Sequence, residues 1–151
     1  MRNFPQSGPR SRWGGVLIGI GLMAAVDEII FHQLLGWHHF YDGATPAIGL
    51  LSDGLLHAGE VVALVAGFFI LLDLRQHNAL HLTHAWAGGF LGAGSFQVFD
   101  GIINHKVLRL HQIRYEVPLL PYDVTWNLVG IALIIVGVLL LRRARRPCLK
   151  I

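Results

Sequence analysis

Four apolar runs decide what this chain can become: Gly14–Leu35, Gly54–Leu74, Ala85–Asn104 and Val124–Leu141. Each is close to the ~20 residues that an α-helix needs to cross a hydrocarbon core of ~30 Å. Inside hydrocarbon no water is available to the backbone, so such a run must pair its own N–H and C=O groups, which a helix does. With 54% of its 151 residues hydrophobic and only 14% charged, the chain departs from soluble composition. The expected fold is all-α: an integral membrane four-helix bundle in a lipid bilayer. The third run, "AWAGGFLGAGSFQVFDGIIN", is the least apolar, but its glycines and alanines are the residues with which membrane helices bring backbones together. The pairs Gly15/Gly19 and Gly88/Gly92 have the small-xxx-small spacing of such contacts.

The flanks set the expected orientation. Arg2, Arg10 and Arg12 precede the first run, and "RRARRPCLK" (Arg142–Lys150) follows the last. Basic residues stay on the cytoplasmic side, so both termini are expected there, in the inner (plasma) membrane of a bacterium. Lys106, Arg109 and Arg114 run against this, in a loop assigned to the outside. The first run is expected to be retained rather than cleaved as a signal peptide, because Asp27, Glu28 and His32 follow where small residues would be needed. The organisation expected is a cytoplasmic segment 1–13, a four-pass domain 14–141 and a basic tail 142–151. The net charge of +3 resides largely in the flanks and gives no reason to expect nucleic-acid binding. Cys148, alone of its type, permits no disulfide or thiolate cluster within one chain.

An internal repeat organises the rest. "VDEIIFHQLLGWH" (Val26–His38) aligns without gaps to "FDGIINHKVLRLH" (Phe99–His111), both reading Asp-x-Ile-Ile-x-His-x5-His. "DGLLH" (Asp53–His57) is echoed by "DVTWN" (Asp123–Asn127). Two helical hairpins, about 14–74 and 85–141, are therefore expected, related by a pseudo-two-fold axis near the membrane normal. In this topology every helix brings its polar residues to one leaflet, the outer.

The residue types point to a metal. An ionisable group inside a membrane helix costs roughly 2.5–3.5 kcal/mol on insertion scales, so a cluster of them needs pairing, water or an ion. Imidazoles with carboxylates suit zinc, copper or iron, and facing helices can supply three or four ligands. The candidate ligands are His32, His57 and His105, with Glu28, Glu60, Asp27, Asp53 and Asp100 as further ligands or as orienting partners of the imidazoles. His38, His39 and His111, at or past the helix ends, are placed to cap the site. On a regular helix Asp27 and His32 lie about 140° apart, so the two are not expected to face the interior together. His77, His81 and His84 have helical spacing at the other end, where structural roles are expected.

Other chemistries stay open at this level. Haem b is one, since His32 and His105 hold equivalent repeat positions, although neighbouring carboxylates favour a bare divalent ion. Ion transport is another, although the cytoplasmic halves of the helices offer almost no ionisable groups. A structural subunit joined by Asp–His contacts is a third. Zinc-activated hydrolysis of a lipid headgroup is conceivable, but there is no HExxH motif, phosphate loop or nucleophile elbow to make the chain an enzyme.

The segments "DEIIFHQLLGWHH", "DGLLHAGEVVALVAGF" and "GAGSFQVFDGIINHKVLRLHQIR" resemble a family of small bacterial four-pass membrane proteins catalogued as a domain of unknown function. The resemblance covers nearly all of Gly14 to Leu141, and Asp27, His32, His38, Asp53, His57, Asp100, His105 and His111 match its pattern. Glu28 departs from it, standing where the repeat has Gly101, which implies that a family-wide site does not depend on Glu28. The resemblance implies an integral membrane protein with no established activity. It also implies the company of respiratory oxidase or its assembly factors, and with it a copper-related or respiratory role.

Overall fold

The computed structural model describes residues 7–144. Arg2, Cys148 and the basic tail beyond 144 lie outside the described residues. The described residues are helical apart from the connections. Helix α1 (Ser7–Val26) continues into a π-helical segment, Asp27–Leu34. Helix α2 spans Pro46–Gln76. Helix α3 (Leu82–Phe99) likewise continues into a π-helical segment, Asp100–Val107. Helix α4 spans Leu119–Ala144. Pro46, at the first turn of α2, starts that helix at no cost in hydrogen bonds, because the N–H it lacks would have no partner there.

Helix α1 packs on both α2 and α3, and α3 packs on α4. The α1–α3 contact runs parallel and backbone to backbone. A β-carbon on Gly15 would strike the Ala85 carbonyl, and one on Gly19 the Gly89 carbonyl; from the other side, Gly88 meets the Arg12 carbonyl and Gly92 that of Val16. Only glycine allows this approach. The α1–α2 contact is antiparallel, with Gly67 against the Gly14 carbonyl and Gly21 against Leu64. So is the α3–α4 contact, with Gly137 against the Ala87 carbonyl and Gly94 against Ile134.

By length and composition, three helices are able to cross a membrane: Ser7–Leu34, Pro46–Gln76 and Leu119–Ala144. The sequence suggested four; α3 falls short because glycines, His84, Ser95 and Gln97 dilute its apolar run. It lies between α1 and α4, with Ala87, Gly88, Gly92 and Gly94 buried. The molecule is polar inside and apolar outside. Its few buried hydrophobic side chains include Ala24, Leu74 and Ala87, while Leu50, Leu55, Val62 and Phe69 of α2 and Leu120, Leu128, Ile135 and Leu139 of α4 are exposed. Such a surface suits hydrocarbon and would aggregate in water.

The helix directions place the first described residue, the α2–α3 connection and Ala144 at one end. The π segments, the loops that follow them and the starts of α2 and α4 gather at the other. Leucine at Gly19 or Gly92 should wedge α1 from α3 and lower stability by at least ~1–3 kcal/mol, the usual cost of overpacking. Alanine at Gly59, where an added β-carbon meets nothing within 4 Å, should be neutral or stabilising by up to ~1 kcal/mol. Thermal melts in mild detergent distinguish the two classes.

Candidate metal centre

The two π segments begin at the two repeated aspartates and end in the same way. Leu35 N–H donates to the Ile30 carbonyl at 2.9 Å and Leu108 N–H to that of Ile103 at 2.7 Å, each five residues back. Gly36 at φ 58° and Arg109 at φ 53° then turn the chain left-handed, an inexpensive conformation for the glycine and a costly one for the arginine. In a π-helix, i→i+5 bonding widens the turn and brings residues five apart toward one face. This overturns the expectation from regular helical geometry. Asp27 and His32 face the interior together, His32 Nε2 lying 3.6 Å from Asp27 Oδ2. Asp100 and His105 do the same, with His105 Nε2 3.1 Å from Asp100 Oδ2.

Four imidazoles meet between the π segments and their loops. His32 and His38 have ring centroids 4.5 Å apart, His38 and His111 4.5 Å, and His105 and His111 4.6 Å. Each of the four residues is at most 4% exposed. The outward nitrogens of His32 and His111 are occupied. His32 Nδ1 donates to Asp53 Oδ1 at 3.1 Å and lies 2.8 Å from Glu28 Oε2. His111 Nδ1 donates to the Phe40 carbonyl at 2.9 Å, which leaves its Nε2 lone pair facing His105 Nε2 at 2.9 Å. His105 Nδ1 points toward Asp123 Oδ1, 4.0 Å away, and Lys106 Nζ holds the other oxygen of that carboxylate at 2.6 Å.

Apart from the Nε2 atoms of His105 and His111, which face each other, the inward atoms have no such partners. His32 Nε2, both ring nitrogens of His38, Asp27 Oδ2 and Asp100 Oδ2 are buried without a hydrogen bond. A polar atom left in that condition costs roughly 1–3 kcal/mol, more if charged, so the arrangement calls for a further group to satisfy it. Three donor sets lie close enough to hold an ion: His32, His38 and His111; Asp100, His105 and His111; and Glu28, His32 and Asp53. In the loops, burial pushes His38 far below the usual histidine range and His111 down to about 4, and the neighbouring imidazoles reinforce the shift. Both therefore stay neutral at physiological pH, the state in which imidazole ligates metals.

Asp53 ties the first loop to α2. Besides His32 it accepts hydrogen bonds from His39 Nδ1 at 2.6 Å and from the Phe40 N–H at 2.7 Å. The second loop joins the first through the Asp42 N–H and the Leu110 carbonyl, at 2.9 Å. Trp37 closes the outside, packed on Phe31 and Tyr122 with the Arg114 guanidinium 4.7 Å over its ring.

Of the residues singled out in the sequence, His32, His38, His105, His111, Asp27, Glu28, Asp53 and Asp100 are thus brought together. Glu60 is buried beside them, its carboxylate taken by His57 at 2.5 Å, and the His57 side chain is 56% exposed and stands apart. His81 lies at the far end, its Nε2 2.9 Å from the Ser7 hydroxyl. Sequence reasoning passed over Asn104, which donates to Asp100 Oδ1 at 2.9 Å, and the Phe40 carbonyl. The first was detectable as an amide four residues after Asp100 in an apolar run; a backbone acceptor in a loop leaves no sequence signal.

A family model described as a predicted membrane protein (DUF2243) matches residues 14–144. The chain belongs to this family. The match spans both π segments, both loops and every residue of the cluster, so the polar end is part of what the family model covers. No curated protein matches the chain, nor does any solved structure.

Replacing Asp53 by alanine removes the acceptor of the His39 ring and the Phe40 N–H and one of the two carboxylates on His32, and should destabilise the protein by about 3–5 kcal/mol, as breaking a buried ion pair does. Asp73→Ala, which removes the exposed 3.0 Å ion pair with Arg10, should cost under ~1 kcal/mol. Equal losses in detergent melts would contradict this assignment of Asp53.

Proposed function

We propose that this membrane protein carries a transition-metal centre, held by His32, His38, His105 and His111 with the carboxylates of Asp27 and Asp100. The observation that carries the reading is the set of buried, inward, unpartnered nitrogen and oxygen atoms in the middle of four packed imidazoles. Asp53 and the Phe40 carbonyl account for the outward nitrogens of His32 and His111 and leave these inward atoms over, which tells against helix adhesion as the whole purpose. Nitrogen and carboxylate donors without thiolate suit zinc, copper(II) or iron(II). Asp53 and the Phe40 carbonyl fix the rings of His32 and His111 from behind, the arrangement by which proteins orient ligating imidazoles. Glu28 and Asp123 stand ready to do the same, Asp123 for His105. A porphyrin is disfavoured, because the rings of His38 and His111 fill the space that a macrocycle between His32 and His105 would need.

The architecture proposed around this centre is a four-pass bundle of two hairpin repeats, with α3 crossing the membrane between α1 and α4. The repeat is supported by contacts that exchange under one residue offset of 73: Gly15 on Ala85 becomes Gly88 on Arg12, and Gly19 on Gly89 becomes Gly92 on Val16. The two π segments obey the same offset. Both termini are proposed to be cytoplasmic in the bacterial inner membrane, which puts the centre near the outer face. Ion storage, delivery or redox service all fit such a site; its closure from solvent favours a resident ion over one in rapid exchange.

Protein purified in mild detergent without a polyhistidine tag should contain zinc, copper or iron by elemental analysis, or take it up at micromolar concentration. His105→Ala should lose at least tenfold in affinity while keeping its helical circular dichroism. Absence of any uptake by the folded protein would defeat the reading. Reporter fusions at residue 144 and in the loop after Gly43 should report the cytoplasm and the outside, respectively. The reverse result would move the centre to the cytoplasmic face.

A further inference from the structure

The rings of His38 and His111 stack, with their planes 5° from parallel and centroids 4.5 Å apart. The lone pair of an imidazole nitrogen lies in the plane of its ring, and a ligated ion lies there too. Two stacked planes have no such point in common near both rings, so an ion bound by His38 cannot also be bound by His111. From this we infer that the centre holds two ions, one on His32 and His38, where Asp27 faces His32, and one in the set Asp100, His105 and His111. The inference rests on the metal reading above and concerns how many ions that site takes.

The pairs within each repeat have the opposite geometry. His32 and His38 cross at 70°, and His105 and His111 at 76°. Crossed planes intersect in a line, and an ion on that line is in plane for both rings. The crossed pairs between repeats, His32 with His111 and His38 with His105, are farther apart, at 5.9 and 6.2 Å. The carboxylates follow the same division. Asp100 reaches His105 Nε2 at 3.1 Å and His111 Nε2 at 3.8 Å, while Asp27 faces His32 Nε2 at 3.6 Å. The 2.9 Å between the Nε2 atoms of His105 and His111 is close to the separation of two ligands at right angles on one ion with bonds of about 2.1 Å. Nitrogens of His32, His38 and His111 do lie within 4.8 Å of one another, so distance alone would permit a shared ion; the ring planes divide them.

Charge agrees. Asp27, Glu28, Asp53, Glu60 and Asp100 are buried around the rings, and no lysine or arginine is buried with them among the described residues. Two divalent cations offset four of these five carboxylates, where one offsets two. Both nitrogens of His38 are without a partner although the residue is 4% exposed, which leaves a complete donor on the less satisfied side of the pair. Two histidines with one carboxylate form the donor set of non-haem iron(II) sites, with positions left open for exogenous ligands. The cofactor class is therefore a pair of divalent first-row ions in oxygen and nitrogen coordination.

The test is a stoichiometry. The full chain without a tag, in mild detergent, is stripped with chelator, equilibrated with excess cobalt(II) and desalted, and cobalt per chain is counted by elemental analysis. Two per chain are expected, falling to one in His38→Ala and to one in His111→Ala, with helical circular dichroism and elution volume retained. A wild type that saturates at one ion would overturn the two-ion inference and leave the metal reading standing. A wild type that binds none would sink both. The wild-type count settles the matter even where a variant fails to fold.

Discussion

Helices α1 and α3 touch through bare backbone, because Gly15 and Gly19 on one side face Gly88 and Gly92 on the other and no β-carbon intervenes. In a membrane the hydrophobic effect does not drive helices together, so van der Waals contact of this closeness has to hold them. It also fixes their offset along the axis. The aspartates that begin the two π segments come to the same level, and the histidines five residues on meet between them. Larger residues in the stripe would separate the two Asp–His segments and leave each with half a site.

The cost of that convergence lies in the buried charge. Acids and imidazoles removed from water demand partners, and the local structure supplies them in two layers. Outward atoms of three of these residues are satisfied by protein: Asp53 for His32, Phe40 for His111, and Asn104 for Asp100. Inward atoms are aimed at one another and at nothing else. A chain that needed only adhesion between helices would pair both layers. Leaving the inner one open while fixing the outer one is what a binding site for an ion requires, since ligands must be held in place and still have lone pairs to give.

Much of this was legible in the amino acids. The apolar runs gave the helices, the glycine pairs Gly15/Gly19 and Gly88/Gly92 marked the α1–α3 contact, and the Asp-x4-His-x5-His repeat marked the cluster. The π turns were not legible. "DEIIFHQL" and "DGIINHKV" have nothing that forbids an ordinary helix, and the wider turn is stabilised by what its side chains reach in tertiary structure. His57 was misleading for a related reason. On α2, Asp53 and Glu60 stand about 20° apart and His57 about 40–60° to one side, so a small rotation of the helix decides whether His57 faces in. Packing of α2 against α1 turns Asp53 and Glu60 inward and leaves His57 on the rim. The third helix carries a similar lesson: its glycines lower its apolarity and make it fit between two neighbours.

That imidazoles of the two π segments hold a metal is tested most directly by X-ray absorption at the edge of the bound ion in the purified protein. The account predicts nitrogen or oxygen donors at about 2.0–2.1 Å with the outer-shell scattering of several imidazole rings, lost when His32 and His105 are both replaced by alanine. Sulfur at about 2.3 Å, or an imidazole signal unchanged in that double variant, would contradict it.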